Sequence, residues 1–426
     1  MGKPWAAYSW LFEVLTYGLF RRLGLIGLLV YVYALMLAIT AALHSLIRKF
    51  EPRLAYSVAL TVLALLAMMP LYSPRPWLFT ILFFIIELNI LVGVRRSRRY
   101  RSLLLLLPLF ALWANVHIQF VYGLFVLGVA ALEDPISRLQ RDRTGVDEEH
   151  DSPLPARTMV LVMGACLLAI LVNPYHLRIY TIVWDTFRLA ALSDLISELQ
   201  ALQFRSITDW LVLLLTLAAA FALGRRRTIN PFWGLLLLAG IFLSFRSGRD
   251  SWFVVIVAVV IIPKALSAAR IATLPRPSWA EAFIVVATVC ILLLFAFQTA
   301  HLSESNLWSK VARTYPTAAA QIVEERGYKG PLYNHFDWGG YLIWRLPELP
   351  VSIDGRSNLH NAERIKQTLK AWNGESKWSS DPELAAAHVV MAQKNLPLTQ
   401  LLRLDSRFEL VYEDQVAAVF LAKAAR

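Results

Sequence analysis

Charge and sulfur are both scarce in this sequence. Asp, Glu, Lys and Arg make up 17% of the 426 residues, against 57% hydrophobic residues and a mean hydropathy of +0.52. A chain so poor in charge has too few polar side chains to clothe a water-facing surface. That excludes an ordinary soluble protein and identifies an integral membrane protein. The two cysteines, Cys166 and Cys290, both lie in apolar runs, so no disulfide framework and no cysteine metal site is available. Also absent are a Walker phosphate loop, a dinucleotide glycine fingerprint, a His-Glu-x-x-His zinc helix and a Gly-x-Ser-x-Gly elbow. Their absence removes the commonest ATPase, dehydrogenase, protease and hydrolase readings.

What the chain does have is base, distributed unevenly. The net charge is +12, yet residues 301–426 hold 15 Lys and Arg against 14 Asp and Glu, leaving 27 against 16 in residues 1–300. The arginine clusters sit between apolar runs, where they act as topology signals and not as one groove-lining patch, so nucleic acid is not an expected partner. About ten segments read as membrane spans: 23–43, 54–72, 76–94, 102–114, 120–132, 158–172, 207–223, 230–245, 251–266 and 280–300. The stretch Trp113, Ala114, Asn115, Val116, His117, Gln119 is too polar for lipid exposure. It marks either two short helices meeting near one face or one long kinked helix.

If the 44–53 loop is cytoplasmic, 18 of the 27 basic residues fall on the inner side and 9 on the outer. This positive-inside bias places both chain ends outside, with 301–426 as an extracytoplasmic domain. Residues 1–17 lack the pattern of a signal peptide, and an external start followed by an inward span leads us to expect an earlier helix upstream. The chain thus divides into an external interfacial region at 1–22, a helical bundle at 23–300 with an external amphipathic segment at 173–206, and the domain at 301–426.

That last domain reads as α/β. A helix is expected between Pro316 and Gly327, then a strand through Tyr341 to Trp344, a strand at Val351 to Ile353, and a helix near Arg364 to Trp372. A strand at His388 to Met391 and a hairpin made of Phe408 to Tyr412 and Val416 to Leu421 complete it. Two interfacial amphipathic helices are also expected, one in 173–206 and one over 5–20.

Several strings converge: Gly2, Lys3, Pro4, Trp5 with Trp10, Leu11 and Glu13; Pro74 to Phe79; Leu112 to His117; and Asn334 to Trp344 followed by Ile353, Asp354, Gly355, Arg356. Together they resemble the multi-pass bacterial proteins with the GT-C glycosyltransferase-like fold, over nearly the whole chain. The resemblance implies inverting transfer of a sugar from a polyprenyl-phosphate carrier to a glycan, lipid or protein acceptor on the outer side of the membrane. It also implies acidic residues in a first external loop, and this chain begins near the end of such a loop. A misassigned or truncated start, or a remnant without catalysis, would each account for that.

Such chemistry needs a base, cations for the departing phosphate and a groove for the isoprenoid. Glu13 is the carboxylate left in the first loop and the candidate base, against the plainer role of a solvated helix face. Arg246, Arg249 and Asp250 lie on the outer side against the charge trend and suit a phosphate, or form a surface Arg–Asp pair. Trp5 and Trp10 are expected to border the cavity. Asn115, His117 and Gln119 either satisfy freed backbone or line a water-filled cavity. Glu87 is expected to pair with an arginine of 95–101 or to reach inward, since a lone acid in an apolar span is costly. His176 with Asp185, Asp194 and Glu198 matches no metal motif; no metal ligands are assigned, although Mg or Mn fits the chemistry. In the final domain Asn334, His335, Asp337, Trp338, Tyr341, Trp344, Asp354 and Arg356 suggest either an acceptor site or tight-turn structure.

Overall fold

A computed structural model describes residues 5–144, 153–188, 200–226, 229–266, 303–356, 359–360, 362–375 and 377–423, with isolated positions between 267 and 302. The chain divides into two compact units, described separately below. The helical unit comprises residues 7–184 and 196–300; the sheet unit comprises 301–426 with the short pieces 1–6 and 185–195.

In the helical unit each of the first nine apolar segments forms a helix. These are α1 (Trp10–Arg48), α2 (Leu54–Ala67), α3 (Trp77–Ser97), α4 (Leu106–Val116), α5 (Phe120–Thr144), α6 (Ala156–Ile170), α8 (Ile207–Gly224), α9 (Pro231–Arg246) and α10 (Ser251–Leu266). The short amphipathic α7 (Arg178–Arg188) lies in the segment expected to carry such a helix. The tenth apolar segment, and the Asp194 and Glu198 positions, lie outside the described residues. Among the described residues four helices are long and apolar enough to cross a membrane on their own: Trp10–Arg48, Trp77–Ser97, Phe120–Asp142 and Ile207–Gly224.

Packing explains the shorter ones. In α10 every residue from Trp252 to Ile261 is fully buried. A helix apolar on all sides belongs at the centre of a bundle, and α10 packs against α8, α9 and α2. Start signals are local: Asn230 accepts a hydrogen bond from the Trp233 amide at 3.3 Å ahead of Pro231, and Ser206 caps α8 through the Asp209 amide at 3.2 Å. The helix expected over 5–20 is present as the first arm of α1, which begins at Trp10 and is set off from the second arm by a kink at Gly24 (φ 62°, ψ −147°), a conformation that glycine reaches without a Cβ clash. The fourth and fifth segments are two helices, with His117 extended between them (φ −156°, ψ 141°).

Glu87 does not pair with an arginine as expected. It is fully buried and neither carboxyl oxygen has a hydrogen-bond partner. Arg95, one of the arginines of 95–101, reaches Glu133 of α5 instead, with Nη1 donating to Oε1 at 2.9 Å and Nη2 2.6 Å from Oε2. Asn230 Nδ2 adds a hydrogen bond to Glu133 at 3.1 Å, and the Arg95 guanidinium lies 4.0 Å from the Phe232 ring centre. The competition is geometric, since Glu133 lies within both ion-pair and hydrogen-bond reach of the guanidinium, with one arm, Nη1 to Oε1, hydrogen-bonded.

The sheet unit is built on a four-stranded sheet of order β1-β2-β4-β3, with β1 Leu332–Asn334, β2 Val389–Gln393, β3 Phe408–Glu413 and β4 Ala417–Ala422. β1 and β2 are parallel; β4 is antiparallel to β2, with Val390 opposite Phe420, and to β3. Both faces are covered. Val389 and Met391 join one core with Ala319, Val323 and Leu342, while Val390 and Ala392 join another with Trp372 and Leu398. A strand buried on both faces reads as a continuous apolar run, which is why 388–391 was recognisable. The helix Thr317–Glu325 stops before Gly327 (φ 61°), and the helix Ala362–Trp372 and the closing hairpin fall where expected.

Two readings change. The run Tyr341 to Trp344 is part of the helix Gly339–Arg345 and not a strand. Four apolar residues in a row fit either period, and the fold is decided by Leu342 and Leu346, which both enter the core one helical turn apart. The strand at 351–353 reduces to a single bridge, Val351 to Leu332.

Removing one partner of the Arg95–Glu133 pair leaves an uncompensated buried charge. Glu133→Ala is therefore expected to cost about 3–5 kcal/mol, while the double change Arg95→Met with Glu133→Leu recovers most of that loss. Thermal unfolding of the detergent-solubilised chain measures both, and equal stabilities for the single and double variants would contradict the assignment.

Candidate functional site

The polar residues of the helical unit gather where two helix breaks meet. α4 ends at Val116 and α5 begins at Phe120; α9 ends at Arg246, and Ser247 (φ −142°, ψ 117°) leads through a 3-10 turn, Gly248–Asp250, straight into α10. Gln119 Nε2 donates to Asp250 Oδ1 at 3.1 Å and joins the two breaks. Asp250 is thus a buried acceptor and not half of a surface Arg–Asp pair. Its backbone carbonyl accepts from Ser244 Oγ at 3.0 Å, and the Gly248 amide donates to the Gln200 carbonyl at 2.8 Å, so the turn is held from both sides.

His117 is fixed from behind. Its Nδ1 lies 2.8 Å from Thr80 Oγ1, which also accepts from Trp113 Nε1 at 3.0 Å. Thr80 Oγ1 thus joins the Trp113 indole to the His117 ring and fixes the orientation of the imidazole. Burial, reinforced by the charge of Arg249, pushes its imidazole down to about 3, so the ring is neutral near pH 7. Asp250 moves the other way. Burial raises its carboxyl above the ordinary range, against the pull of Arg249 and of hydrogen bonds from Tyr122 and Gln119.

Arg249 is the cation of this site. Its charge is felt by Tyr8, His117 and Tyr122, which places all three around it. Its Nε is buried without a hydrogen-bond partner, and so are Gln119 Oε1, Ser247 Oγ, Trp252 Nε1 and Ser9 Oγ. Buried polar atoms are normally satisfied, so several orphans in converging segments mark a place where something polar binds. Three of the five are donors on 247–252, namely Ser247 Oγ, Trp252 Nε1 and the guanidinium's own Nε, a set that suits an anion.

The remaining expected residues sort around this centre. Arg246 is exposed at the end of α9, and its charge also reaches Tyr122. Trp10 Nε1 donates to Asn115 Oδ1 at 2.8 Å, and Asn115 Nδ2 donates to the Ala111 and Val172 carbonyls, each at 2.7 Å. Asn115 is therefore a fastener between segments and has little left for a ligand. Glu13 is exposed in the first turn of α1, and its charge is felt by Tyr8. His176 has a positive φ of 45°, with Nδ1 3.2 Å from the Leu171 carbonyl, a turn-closing role. Among the described residues no three His, Cys, Asp or Glu side chains are grouped as metal ligands.

In the sheet unit, Asp354 and Arg356 form a fork, Nε to Oδ1 at 2.8 Å and Nη2 to Oδ2 at 2.6 Å. Burial pushes the Asp354 carboxyl up, but hydrogen bonds from Arg356 and His360 outweigh it and hold it well below the usual carboxylate range. The Arg356 guanidinium lies 5.1 Å from the ring centre of Trp5, so Trp5 belongs with this turn and not with the Trp10 cluster. Trp338 is core: it is 2% exposed and its Nε1 donates to the Thr314 carbonyl at 3.0 Å. Gly339 lets this turn approach 353–354, since a Cβ there would fall 2.1 Å from the Ile353 carbonyl oxygen. Asn334 ties the same turn by donating to that carbonyl at 2.8 Å. Tyr341 is half-buried, and the Asp337 side chain is 70% exposed and lies 3.5 Å from His335 Nδ1.

Thr80, Tyr122 and Ser247 were not anticipated from the sequence. Hydroxyl groups on apolar helices next to a suspected break are the signal that would have found them. No model of a known protein family matches the chain, and no curated protein matches it either.

Neutral His117 gives a signed pH effect. The unfolded chain takes up a proton near the ordinary imidazole value of about 6.5, whereas the folded site resists until much lower pH, so stability falls as pH drops from about 6.5 towards 3. We expect a loss of about 1 kcal/mol for the first pH unit below 6.5. In His117→Asn, which keeps a hydrogen-bond partner for Thr80, this loss should vanish; unfolding midpoints at pH about 7.5 and 5.5 test it.

Proposed function

We propose that the helical unit binds the phosphate head of a polyprenyl-phosphate-linked sugar at Arg249, and that the chain is a GT-C-like membrane glycosyltransferase acting on the outer face of the cell membrane. The observation that carries the reading is the group of unsatisfied buried polar atoms around Arg249 where two helix breaks meet. A guanidinium with hydroxyl and indole donors beside it complements phosphate oxygens. In a low-dielectric surrounding such donors are strongest where negative charge grows as the phosphate leaves. Arg246, exposed on the same turn, adds a second cation.

In this reading the ten apolar segments cross the membrane, the 18 basic residues assigned to the inner loops orient them, and residues 301–426 lie outside. Glu13, whose charge reaches the same neighbourhood through Tyr8, is the candidate base for the acceptor hydroxyl. Neutral His117 contributes an uncharged imidazole, and Asp250 holds the turn that presents Arg249.

The full chain in lipid nanodiscs should bind a radiolabelled polyprenyl-phosphate sugar, and Arg249→Ala should weaken that binding by about tenfold or more, or about 1.4 kcal/mol. Arg249→Lys should fall between, because one ammonium replaces a fork. Unchanged affinity in well-folded Arg249→Ala removes the assignment. Binding without transfer to any acceptor leaves a lipid-phosphate-binding protein in place of an enzyme.

A further inference from the structure

The sheet unit contains a cavity of about 380 Å³ whose walls include Arg313, Tyr315, Asp337, Gln393, Lys394 and Asn395. It opens where β1 and β2 end, since Asp337 follows β1 and Gln393 closes β2. Ligands of open sheets with parallel strands gather at the carboxyl ends of those strands, and the volume lies within the range of about 300–1,000 Å³ usual for small-molecule sites.

The lining decides the class of ligand. Lys394 is already engaged, with Nζ donating to the Asp414 carbonyl at 2.9 Å and lying 3.6 Å from Glu413. That leaves Arg313 and the exposed carboxylate of Asp337 facing one space, a balance that disfavours a strongly anionic or cationic guest. Gln393 and Asn395 add amides that both donate and accept, as hydroxyl groups do. Tyr315 supplies a ring, and the aromatic surface continues outward from it. Tyr315 packs on Tyr341 at 5.2 Å, Tyr341 on Trp344 at 5.8 Å, and Trp344 stacks on Trp308 at 6.2 Å with 17° between the planes. Trp344 is 47% exposed, too much for a core residue of its size. The electron-rich ring faces attract the polarised C–H groups of a pyranose.

We propose that this cavity and its aromatic strip form a binding site for a neutral oligosaccharide. One sugar ring sits between Arg313, Asp337, Gln393 and Asn395, and the rings that follow lie along Tyr341 and Trp344. The binding itself does not depend on the phosphate site at Arg249; only its use as the acceptor site of a glycosyltransferase rests on that reading.

The test uses the full chain in nanodiscs and saturation-transfer NMR with gluco-, manno- and N-acetylglucosamine oligosaccharides, and with oligogalacturonate as the anionic probe. At least one neutral oligosaccharide should bind, and Asn395→Ala and Asp337→Ala should each weaken it by about tenfold. Both side chains are solvent-facing, so folding is preserved, and Arg249→Ala should leave this binding unchanged. Loss of lipid-phosphate binding in Arg249→Ala with sugar binding intact therefore separates the two sites. The proposal is overturned if no neutral oligosaccharide binds, if both variants bind as the unaltered chain does, or if oligogalacturonate binds more tightly than every neutral sugar.

Discussion

Arg95 and Glu133 make the contact on which the helical unit depends. Both side chains are almost wholly excluded from solvent, at 2% and 0% exposure. A charge removed from water is costly alone, and the cost is offset only when partner and geometry are both present. Here the partners come from α3 and α5, and Asn230, at the start of α9, adds a second hydrogen bond to Glu133 Oε1. Three helices are thereby fixed in register at one level. A hydrophobic contact at this place would tolerate sliding that a buried, hydrogen-bonded ion pair does not.

The same rule shapes the proposed phosphate site. A helix that breaks among apolar neighbours frees backbone groups and places polar side chains where water is scarce. At 117–119 and 247–250 the two breaks answer each other: Gln119 meets Asp250, and Thr80 meets His117. After those bonds are made, a surplus remains, mostly of donors and centred on Arg249. The surplus is what separates a binding site from a repaired defect. Asn115 shows the contrast, since its amide and carbonyl are consumed by Trp10, Ala111 and Val172.

Lengths and periods made much of the fold readable. Nine apolar runs became helices because an apolar run of that length has no other way to satisfy its backbone away from water. The break at 113–119 was visible because Asn115, His117 and Gln119 interrupt such a run. The hairpin near the C-terminus was visible as two apolar runs separated by the polar turn Glu413, Asp414, Gln415. Pairings were not readable. Gln119 and Asp250 are 131 positions apart, and nothing local to either says that they meet. Arg95 had several nearby candidates, Glu87 among them, and three-dimensional reach selected Glu133. Trp338 and Tyr341 looked alike as possible sugar platforms. Burial separated them, sending Trp338 into the core while Tyr341 stayed on an aromatic strip.

Glu87 is the acid that this logic of pairing does not explain. It lies seven positions after Thr80 on α3, two turns along the same face. Both oxygens lack a partner, and its surroundings are aromatic: a Cβ on Gly123 would fall 2.7 Å from Glu87 Oε2 and equally close to the Phe110 and Trp113 rings. Gly123 therefore keeps open the space that the carboxyl and the two rings share. Trp113 is the plate between two layers. One edge of its indole bonds Thr80 and so steadies His117, while the opposite edge borders the space beside Glu87. Bulk added at Gly123 would press on Trp113, and through Thr80 on the imidazole next to Arg249. The acid thus lies one side chain behind the proposed phosphate site, joined to it through a ring whose position a single glycine allows.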